Sequence, residues 1–427
     1  MNSDPPLLTR DFLLLLAAHL LQALGYSSML LFPVYLDHLG ASRSELGTIM
    51  ATAALSGLVF RPAMAWALDS LGRKPTVLIG TAFLTTGMAL IGWIDDLGVV
   101  VYIDRIIIGI GVAALFTGYF TWASDLVPVT RRTEGLALFG ASGLLPISLN
   151  AFAHEFVFDP ASLRLFFPVL GGMIAVSFVF VALIPEPRKT GRSSEPSVHS
   201  RPGATDDDAP DYRLRDVIRA LSRTPLVPVW LATFCFSALV AVFMTFATVT
   251  AESRLDSLVQ SGAHDPGFLT QPASLWLPYA LAAISVRLFG SRFPDRIGTH
   301  NMIVPALALY LSAFLTIAAA EQPAALLLAG GLAGLGHGYC FPVLISQVVS
   351  RSPERWRGSA VALYTALWGV TELVLVPLFG RIADAYGDPA LYASASLGAL
   401  GCISLWCGIE HRWGEHRRSR PDSPGLV

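Results

Sequence analysis

Charge is scarce in this sequence. Only 14% of its 427 residues are charged, 29 Lys and Arg with 31 Asp and Glu, whereas 53% are apolar. Soluble globular chains carry about 25% charged residues, so this composition excludes an ordinary water-soluble protein and also a disordered one. Four cysteines in the whole chain exclude a disulfide scaffold. The mean hydropathy of +0.58 therefore indicates a polytopic membrane protein.

Several chemical signatures are also missing. No Gly-Lys-Ser/Thr phosphate loop occurs, so ATP is not the expected energy source. No Cys/His spacing suits zinc, and the cysteines, all inside predicted spans, are interpreted as packing residues: Cys235, Cys340, Cys402 and Cys407. No cluster of catalytic side chains suggests an enzyme. We expect no cofactor and no nucleic-acid partner.

Long apolar runs are abundant instead. A helix needs roughly 20 apolar residues to cross a bilayer, and twelve such runs occur. They are residues 12–35, 44–67, 76–94, 98–120, 134–155, 164–184, 225–249, 271–290, 301–319, 324–348, 357–380 and 388–409. The first run follows no basic cluster and precedes no cleavage site, so it is predicted to remain as a helix rather than act as a secretory signal.

Basic residues predict the direction of insertion. Of the 29 Lys and Arg, 24 fall at one set of span ends or on the segments that extend from them. The opposite ends have only Arg43, Arg164, Arg254 and Arg381, and Arg105 lies inside a span. The positive-inside rule places the rich set in the cytoplasm. Both termini are then cytoplasmic, and the predicted location is the cytoplasmic (inner) membrane.

A charged linker divides the chain. Residues 185–225 hold 15 of the 60 charges, too polar a composition to bury a core. Leu214, Val217, Ile218 and Leu221 predict a short amphipathic helix, lying on the inner leaflet or packed on the bundle. The predicted organisation is a six-helix bundle (1–184), a cytoplasmic linker (185–224), a second six-helix bundle (225–410) and a cytoplasmic tail (411–427).

The two halves repeat each other. Three residues after the second span recur after the eighth at an offset of 226, namely Arg61, Asp69 and Gly72 as Arg287, Asp295 and Gly298. A second echo, at an offset of 223, pairs Arg132 and Gly135 with Arg355 and Gly358. Six is even, so both halves enter the membrane in the same sense. Such a parallel repeat predicts a binding site near the midplane between the halves.

These motifs resemble the major facilitator superfamily over nearly the whole chain. The family's second loop motif appears as Ala65-Trp-Ala-Leu-Asp69-Ser-Leu-Gly72-Arg73-Lys74, with Ala65 and Ala67 departing from it. Its fourth-helix motif is intact as Arg105, Gly109, Gly111 and Ala114. The helix-five antiporter signature is missing, and Gly140, Gly143 and Pro146 stand there instead. The nearest similarity is to the arabinose-efflux and multidrug-exporter-like bacterial branch. It implies an all-α fold of twelve transmembrane helices.

The resemblance also implies a conformational latch between the halves on the cytoplasmic side. Its candidate residues are Arg61, Asp69, Gly72, Arg73, Asp125, Arg287, Asp295 and Gly298. Asp69 is expected to face a helix N-terminus, where an anion is favoured, and Arg73 to pair with Asp125. The alternative is ordinary positive-inside anchoring, which explains Arg73 but not Asp69.

Charged and polar residues deep in the spans are the candidates for a solute and proton cavity. They are His19, Gln22, Tyr26, Arg105, Asn150, His337, Trp368 and Glu372. By resemblance Arg105 lies in the cavity, the alternative being that it extends to the interface. Asp104 is not expected to pair with it, because adjacent helix positions point apart. Glu372 is a default protonation or cation site, with His337 as a neighbour. The alternative is a neutral acid that donates to a backbone carbonyl.

The predicted function is secondary transport of a small solute by alternating access, coupled to protons and directed outward. An inward facilitator or proton symporter is the alternative, and a membrane-embedded enzyme or a non-transporting sensor is the alternative from another class. The expected partners are a small-molecule solute, protons and the lipid bilayer. The protein is expected to act as a monomer.

Overall fold

The structure is a computed structural model. It describes residues 6–128, 131–155, 160–186, 226–260, 271–290, 293–353 and 357–418. Within these ranges the chain is helical and contains no strand. Most of the linker, including the amphipathic helix predicted at Leu214–Leu221, lies outside the described residues.

Twelve helices form the bundle and are numbered in chain order. The first, α1, consists of Arg10–Ser27, the 3-10 turn Ser28–Leu30 and Phe32–His38. The others are α2 (Arg43–Ser70), α3 (Arg73–Leu90), α4 (Val99–Leu126), α5 (Arg132–Leu149), α6 (Pro160–Leu183), α7 (Val227–Gln260), α8 (Trp276–Phe289), α9 (Ile303–Ala318), α10 (Pro323–Arg351), α11 (Arg357–Tyr386) and α12 (Asp388–Arg418). Ten helices are long and apolar enough to cross a membrane, and the apolar helices Leu138–Phe152 and Ala273–Phe289 complete the set. The predicted all-α, twelve-helix fold is confirmed.

Some helices extend beyond the apolar segments from which they were predicted. Helix α4 continues to Leu126, α7 to Gln260 and α11 to Tyr386, several residues beyond the predicted ends. Hydropathy detects only the part of a helix that suits hydrocarbon. Their last turns are more polar and therefore escaped the sequence prediction.

Local sequence explains where helices begin. Thr9 Oγ1 accepts a hydrogen bond from Phe12 N at the start of α1, and Ser42 with Glu45 forms a capping box at the start of α2. Gly72, immediately before α3, has φ +108°, and its repeat partner Gly298 has φ +90°. Glycine alone adopts such angles without strain. The echo between the halves is therefore also present in the backbone.

Two seams join the first half (α1–α6) to the second (α7–α12). Helix α2 packs against α11, and α5 packs against α8. The end of the bundle at which α1 begins is called here the Arg10 face, and the end at which α2 begins is called the Arg43 face. In each seam, the two helices span the bundle between the Arg10 face and the Arg43 face.

The α2–α11 seam is tighter toward the Arg43 face. A Cβ at Gly380 would lie 2.3 Å from the Arg43 carbonyl oxygen, and one at Gly47 would lie 2.8 Å from the Val376 carbonyl oxygen. Further along, a Cβ at Gly369 would be 3.9 Å from its nearest neighbours. The two backbones thus touch near the Arg43 face and separate toward the Arg10 face.

Glycine substitutions test this packing. Gly380→Ala should lower the melting temperature of the purified protein, because overpacking at such a contact costs about 1–3 kcal/mol. Gly398→Ala on α12 is the matched control, since a Cβ there meets nothing within 4 Å, and it should leave the melting temperature unchanged or raise it. Equal effects of the two changes would contradict a close seam.

Candidate functional site

A cavity of about 400 Å³ lies between the two halves. Its walls come from α1, α2, α4 and α5 of the first half and from α7 and α11 of the second. The polar side chains among its lining residues are His19, Gln22, Tyr26, Ser27, Tyr119, Thr245, Trp368 and Glu372. The remaining wall is apolar, as in pockets that bind small molecules.

The predicted polar face of α1 lines this cavity. His19, Gln22 and Tyr26 are spaced i, i+3 and i+7, so they share one side of the helix. His19 Nδ1 lies 2.8 Å from Ser142 Oγ, and the Ser142 hydroxyl donates to the Phe139 carbonyl oxygen at 2.7 Å. This network assigns Nδ1 as a donor, which leaves Nε2 as an acceptor in the neutral ring.

Trp368 and Glu372 enter the cavity from α11, one turn apart. Glu372 is the only carboxyl among the cavity-lining residues, and it makes no hydrogen bond to another described residue. Trp368 packs edge-on against Phe236 with ring centroids 5.2 Å apart. The cavity therefore combines one ionisable acid with aromatic and aliphatic walls.

Arg105 was expected to lie in the cavity and not to pair with Asp104, and the structure shows a different arrangement. Its Nε and Nη2 donate to Asp104 Oδ2 at 2.9 and 2.5 Å, so the prediction that these neighbours do not pair is wrong. The two Cβ atoms do diverge, but the long arginine side chain folds back. Both side chains are almost fully buried, where an unpaired charge costs far more than a bent side chain.

The Arg105 guanidinium lies behind the cavity wall rather than on it. Met29 Sδ is 3.6 Å from both of its terminal nitrogens, and the Phe32 ring centroid is 3.9 Å from Cζ. Met29 lines the cavity, whereas Arg105 does not. In this conformation Arg105 therefore does not line the cavity, and its predicted role there remains a prediction.

Two further candidates are not among the residues that line the cavity. His337 Nδ1 is 2.6 Å from the Tyr279 hydroxyl oxygen within an aromatic cluster of the second half. Asn150 Nδ2 donates to the Ser27 carbonyl oxygen at 3.1 Å and so links α5 to α1. His337 is therefore not a direct neighbour of Glu372 on the cavity wall. Spacing along a helix identified these residues as buried but did not indicate which side they face.

On the Arg10 face, the loop between α2 and α3 is held within the first half. Arg73 Nε donates to Asp125 Oδ2 at 2.8 Å, which confirms the predicted pair. Glu186 accepts from the backbone N–H groups of Arg73 and Lys74, both at 2.8 Å. The Lys74 ammonium in turn donates to two carbonyl oxygens at the end of α6. Glu186 thus caps the start of α3, and Lys74 caps the end of α6.

Asp69 has an exposed side chain, and among the described residues it has no hydrogen-bond or ion-pair partner. The expected contact with a helix N-terminus is therefore not made to any described residue. The side chain of its counterpart Asp295 lies outside the described set. Arg61 does cross between the halves, because its Nη1 donates to Thr365 Oγ1 at 2.6 Å.

The Arg43 face holds a network that sequence reasoning missed. Asp384 accepts from the backbone N–H groups of Arg43 and Ser44 at 2.7 and 2.9 Å. The Arg43 guanidinium bonds to Asp388 and also to Asp37. His38 Nε2 lies 2.9 Å from Glu252 Oε1. The signal available was the rarity of basic residues at this set of span ends.

This network ties the halves together at one end only. Arg43 and His38 belong to the first half, whereas Glu252, Asp384 and Asp388 belong to the second. On the Arg10 face, the hydrogen bonds found between described residues stay within one half, apart from Arg61 to Thr365. The two faces are therefore fastened very differently.

Comparison with known proteins identifies the family. The family model described as Major Facilitator Superfamily matches residues 14–371 and 263–424. The chain belongs to the major facilitator superfamily. An uncharacterized MFS-type transporter of Salmonella typhimurium is 23% identical over 402 residues, covering 90% of this chain and 91% of that protein. One from Burkholderia pseudomallei is 25% identical over 394 residues, covering 86% and 84%.

Solved structures share the fold. The nucleoside transporter NupG superposes with a TM-score of 0.74 at 11% identity, covering 94% of this chain and 99% of that one. A POT family transporter in complex with a thioalcohol-conjugated peptide gives 0.74 at 13% identity, covering 94% and 96%. Membership in the superfamily makes the chain a multi-pass membrane protein and a secondary transporter of a small solute, not an enzyme.

The buried pair in α4 leads to a stability prediction. Asp104→Ala should destabilise the protein by about 3–5 kcal/mol, because it leaves a buried guanidinium without its counter-charge. The double change Asp104→Ala with Arg105→Met should recover much of the loss. The melting temperature in detergent and elution as a single species measure both. A double variant as unstable as the single one would contradict mutual dependence.

Proposed function

We propose that this transporter exports a small amphipathic or sugar-like solute and that protons moving through the protein drive the export. The observation that carries the proposal is Glu372, the only carboxyl on the wall of the cavity between the halves. An ionisable group inside a membrane protein commonly serves a proton or ion pathway. The mostly apolar wall suits a solute with a substantial apolar surface.

The proposed orientation places the Arg10 face in the cytoplasm of a bacterial inner membrane. It rests on the distribution of Lys and Arg, of which 24 of 29 fall on that side. The linker and both termini are then cytoplasmic.

Alternating access follows from the unequal fastening of the two faces. The Arg43 face is closed by ion pairs and by close backbone contact, whereas the Arg10 face has one described cross-half hydrogen bond. We assign this arrangement to the state open toward the cytoplasm. In the opposite state Asp69 would meet the second half and the repeated loop residues would act as the latch. Arg73 and Asp125 would keep the Asp69 loop in shape.

Glu372→Gln tests the coupling. A cycle coupled to one proton sustains roughly a tenfold solute ratio per pH unit, and without the titrating group this ratio should fall to about one. A thermal-shift screen on the purified protein supplies the solute, and flux in proteoliposomes with and without a pH gradient is the measurement. Glu321→Gln, an exposed acid outside the cavity, is the matched control.

Three outcomes would contradict this proposal. Uphill transport by Glu372→Gln with unchanged pH dependence would remove Glu372 from the coupling. Wild-type flux that runs down the solute gradient regardless of the imposed pH gradient, or that follows protons inward, would favour the facilitator or the symporter. Binding without any flux would favour a sensor.

Asp384→Ala tests the closed face. It removes the acceptor for two backbone N–H groups of α2, so the Arg43 face should open more often. A cysteine at the cavity position Ala241, in a variant without native cysteines, should then react several-fold faster with an impermeant maleimide added from the Arg43 side. Glu321→Ala, on the same face, should leave the rate unchanged. Equal rates in both variants would exclude a gate at Asp384.

A further inference from the structure

Two arginines in the seams have guanidinium N–H groups that find no acceptor among the described residues. The Nε atoms of Arg61 and Arg287 are buried without a hydrogen-bond partner in the described part of the chain. Neither guanidinium forms an ion pair with a described carboxylate. Arg61 has one acceptor, the Thr365 hydroxyl oxygen. By contrast, Arg43, Arg105 and Arg351 pair with carboxylates, and Arg164 and Arg254 donate to backbone carbonyl oxygens.

The two positions are equivalent by the internal repeat. Arg61 lies on α2 and reaches α11, and Arg287 lies on α8 and approaches α5, where a Cβ at Gly140 would be 3.3 Å from Arg287 Nη1. The α2–α11 seam corresponds to the α8–α5 seam. Each seam thus carries one arginine on the Arg10 side of its contact with the other half.

The partners of these arginines also correspond. Arg61 donates to Thr365, whose repeat counterpart at the offset of 223 is Ser142. Ser142 already pairs with His19. No hydrogen bond joins Arg287 to Ser142 or to any other hydroxyl of the described residues, and its described surroundings are aromatic, with the Phe341 ring centroid 5.7 Å from Cζ.

Both guanidinium groups approach the same segment of α11. Thr365 accepts a hydrogen bond from Arg61, and the adjacent Tyr364 packs its ring 6.0 Å from the Phe341 ring, over which Arg287 lies. The Tyr364 hydroxyl has no hydrogen-bond partner among the described residues. Thr365, Trp368 and Glu372 follow at i, i+3 and i+7, so this segment continues along one helix side into the cavity, about 10 Å from Glu372.

A cluster with surplus donors and uncompensated positive charge is complementary to an anion. Buried charges are ordinarily paired, because desolvation without compensation is costly. Cation–π contact with Phe341 offsets this cost only in part. We propose that Arg61 and Arg287 form an anion-recognition site at the Arg10-face entrance to the cavity and that the transported solute is an amphipathic organic anion. This inference rests on the proposed transport function for its substrate class, but binding at the site does not depend on proton coupling.

The test is binding to the purified full-length protein in low-chloride buffer. The probes are benzoate, octanoate and phenyl phosphate, each compared with its neutral analogue: benzamide, octanamide and benzyl alcohol. Thermal-shift titration gives the apparent affinity for each. At least one anion should bind roughly tenfold or more tightly than its neutral analogue, as expected for one charge-assisted hydrogen bond.

The variants separate recognition from folding. Arg61→Gln and Arg287→Gln should each weaken anion binding roughly tenfold and leave binding of the neutral analogue unchanged. Arg61→Lys and Arg287→Lys should retain most of the preference for the anion. Arg296→Gln, an exposed arginine next to the second seam, is the matched control and should bind like the wild type. Without an anion, the double Gln variant should have a melting temperature no lower than that of the wild type. The substitutions remove buried positive charge whose desolvation destabilises the folded protein.

The proposal is overturned if no anion binds better than its neutral analogue, or if the double Gln variant keeps the full preference. Failure of the transport proposal appears elsewhere, as solute flux that ignores the pH gradient and the Glu372→Gln change. If no preference for anions is found but proton-coupled flux is intact, the anionic substrate class is wrong and the transport proposal stands.

Discussion

The absence of water across the bilayer is the constraint on which the rest of this structure depends. Backbone polar groups there must be satisfied internally, so the chain crosses as helices. Charges are correspondingly rare, and two of those inside the bundle show how they are accommodated: Arg105 pairs with Asp104, and Glu372 faces a cavity. Hydrophobic residues can remain on the outside, where Leu165, Val169 and Leu397 are largely exposed. Each buried polar group therefore indicates either packing or function.

The seams between the halves are packed differently at the two faces of the bundle. Near the Arg43 face, glycines allow α2 and α11 to touch backbone to backbone, and carboxylates of the second half hold the start of α2. Toward the Arg10 face, contact depends on the long side chain of Arg61. A packed glycine contact and a single arginine side chain differ greatly in strength, and the proposed rocking of the halves rests on this difference.

The cavity and its entrance carry different ionisable groups. The cavity offers one acid, a histidine whose tautomer is set by Ser142, and apolar walls. The entrance offers two repeat-related arginines that form no ion pair with a described carboxylate. An acid further inside and cations at the mouth, on one side of α11, give a solute different surroundings along its path. In the proposed mechanism, solute recognition and proton coupling would therefore rely on different residues.

The sequence by itself determined the number of helices, the division into two repeated halves, the family, the polar face of α1 and the position of Glu372. These follow from hydropathy, periodicity and motif spacing, which act along one helix. Only the tertiary structure decided that Arg105 pairs with Asp104, that His337 and Asn150 lie off the cavity wall, and that Asp384 and Asp388 fasten α2. A helix can turn any side toward its neighbours, and an arginine can reach several residues away. Contacts between distant segments depend on such rotations and rotamers, which no local pattern records.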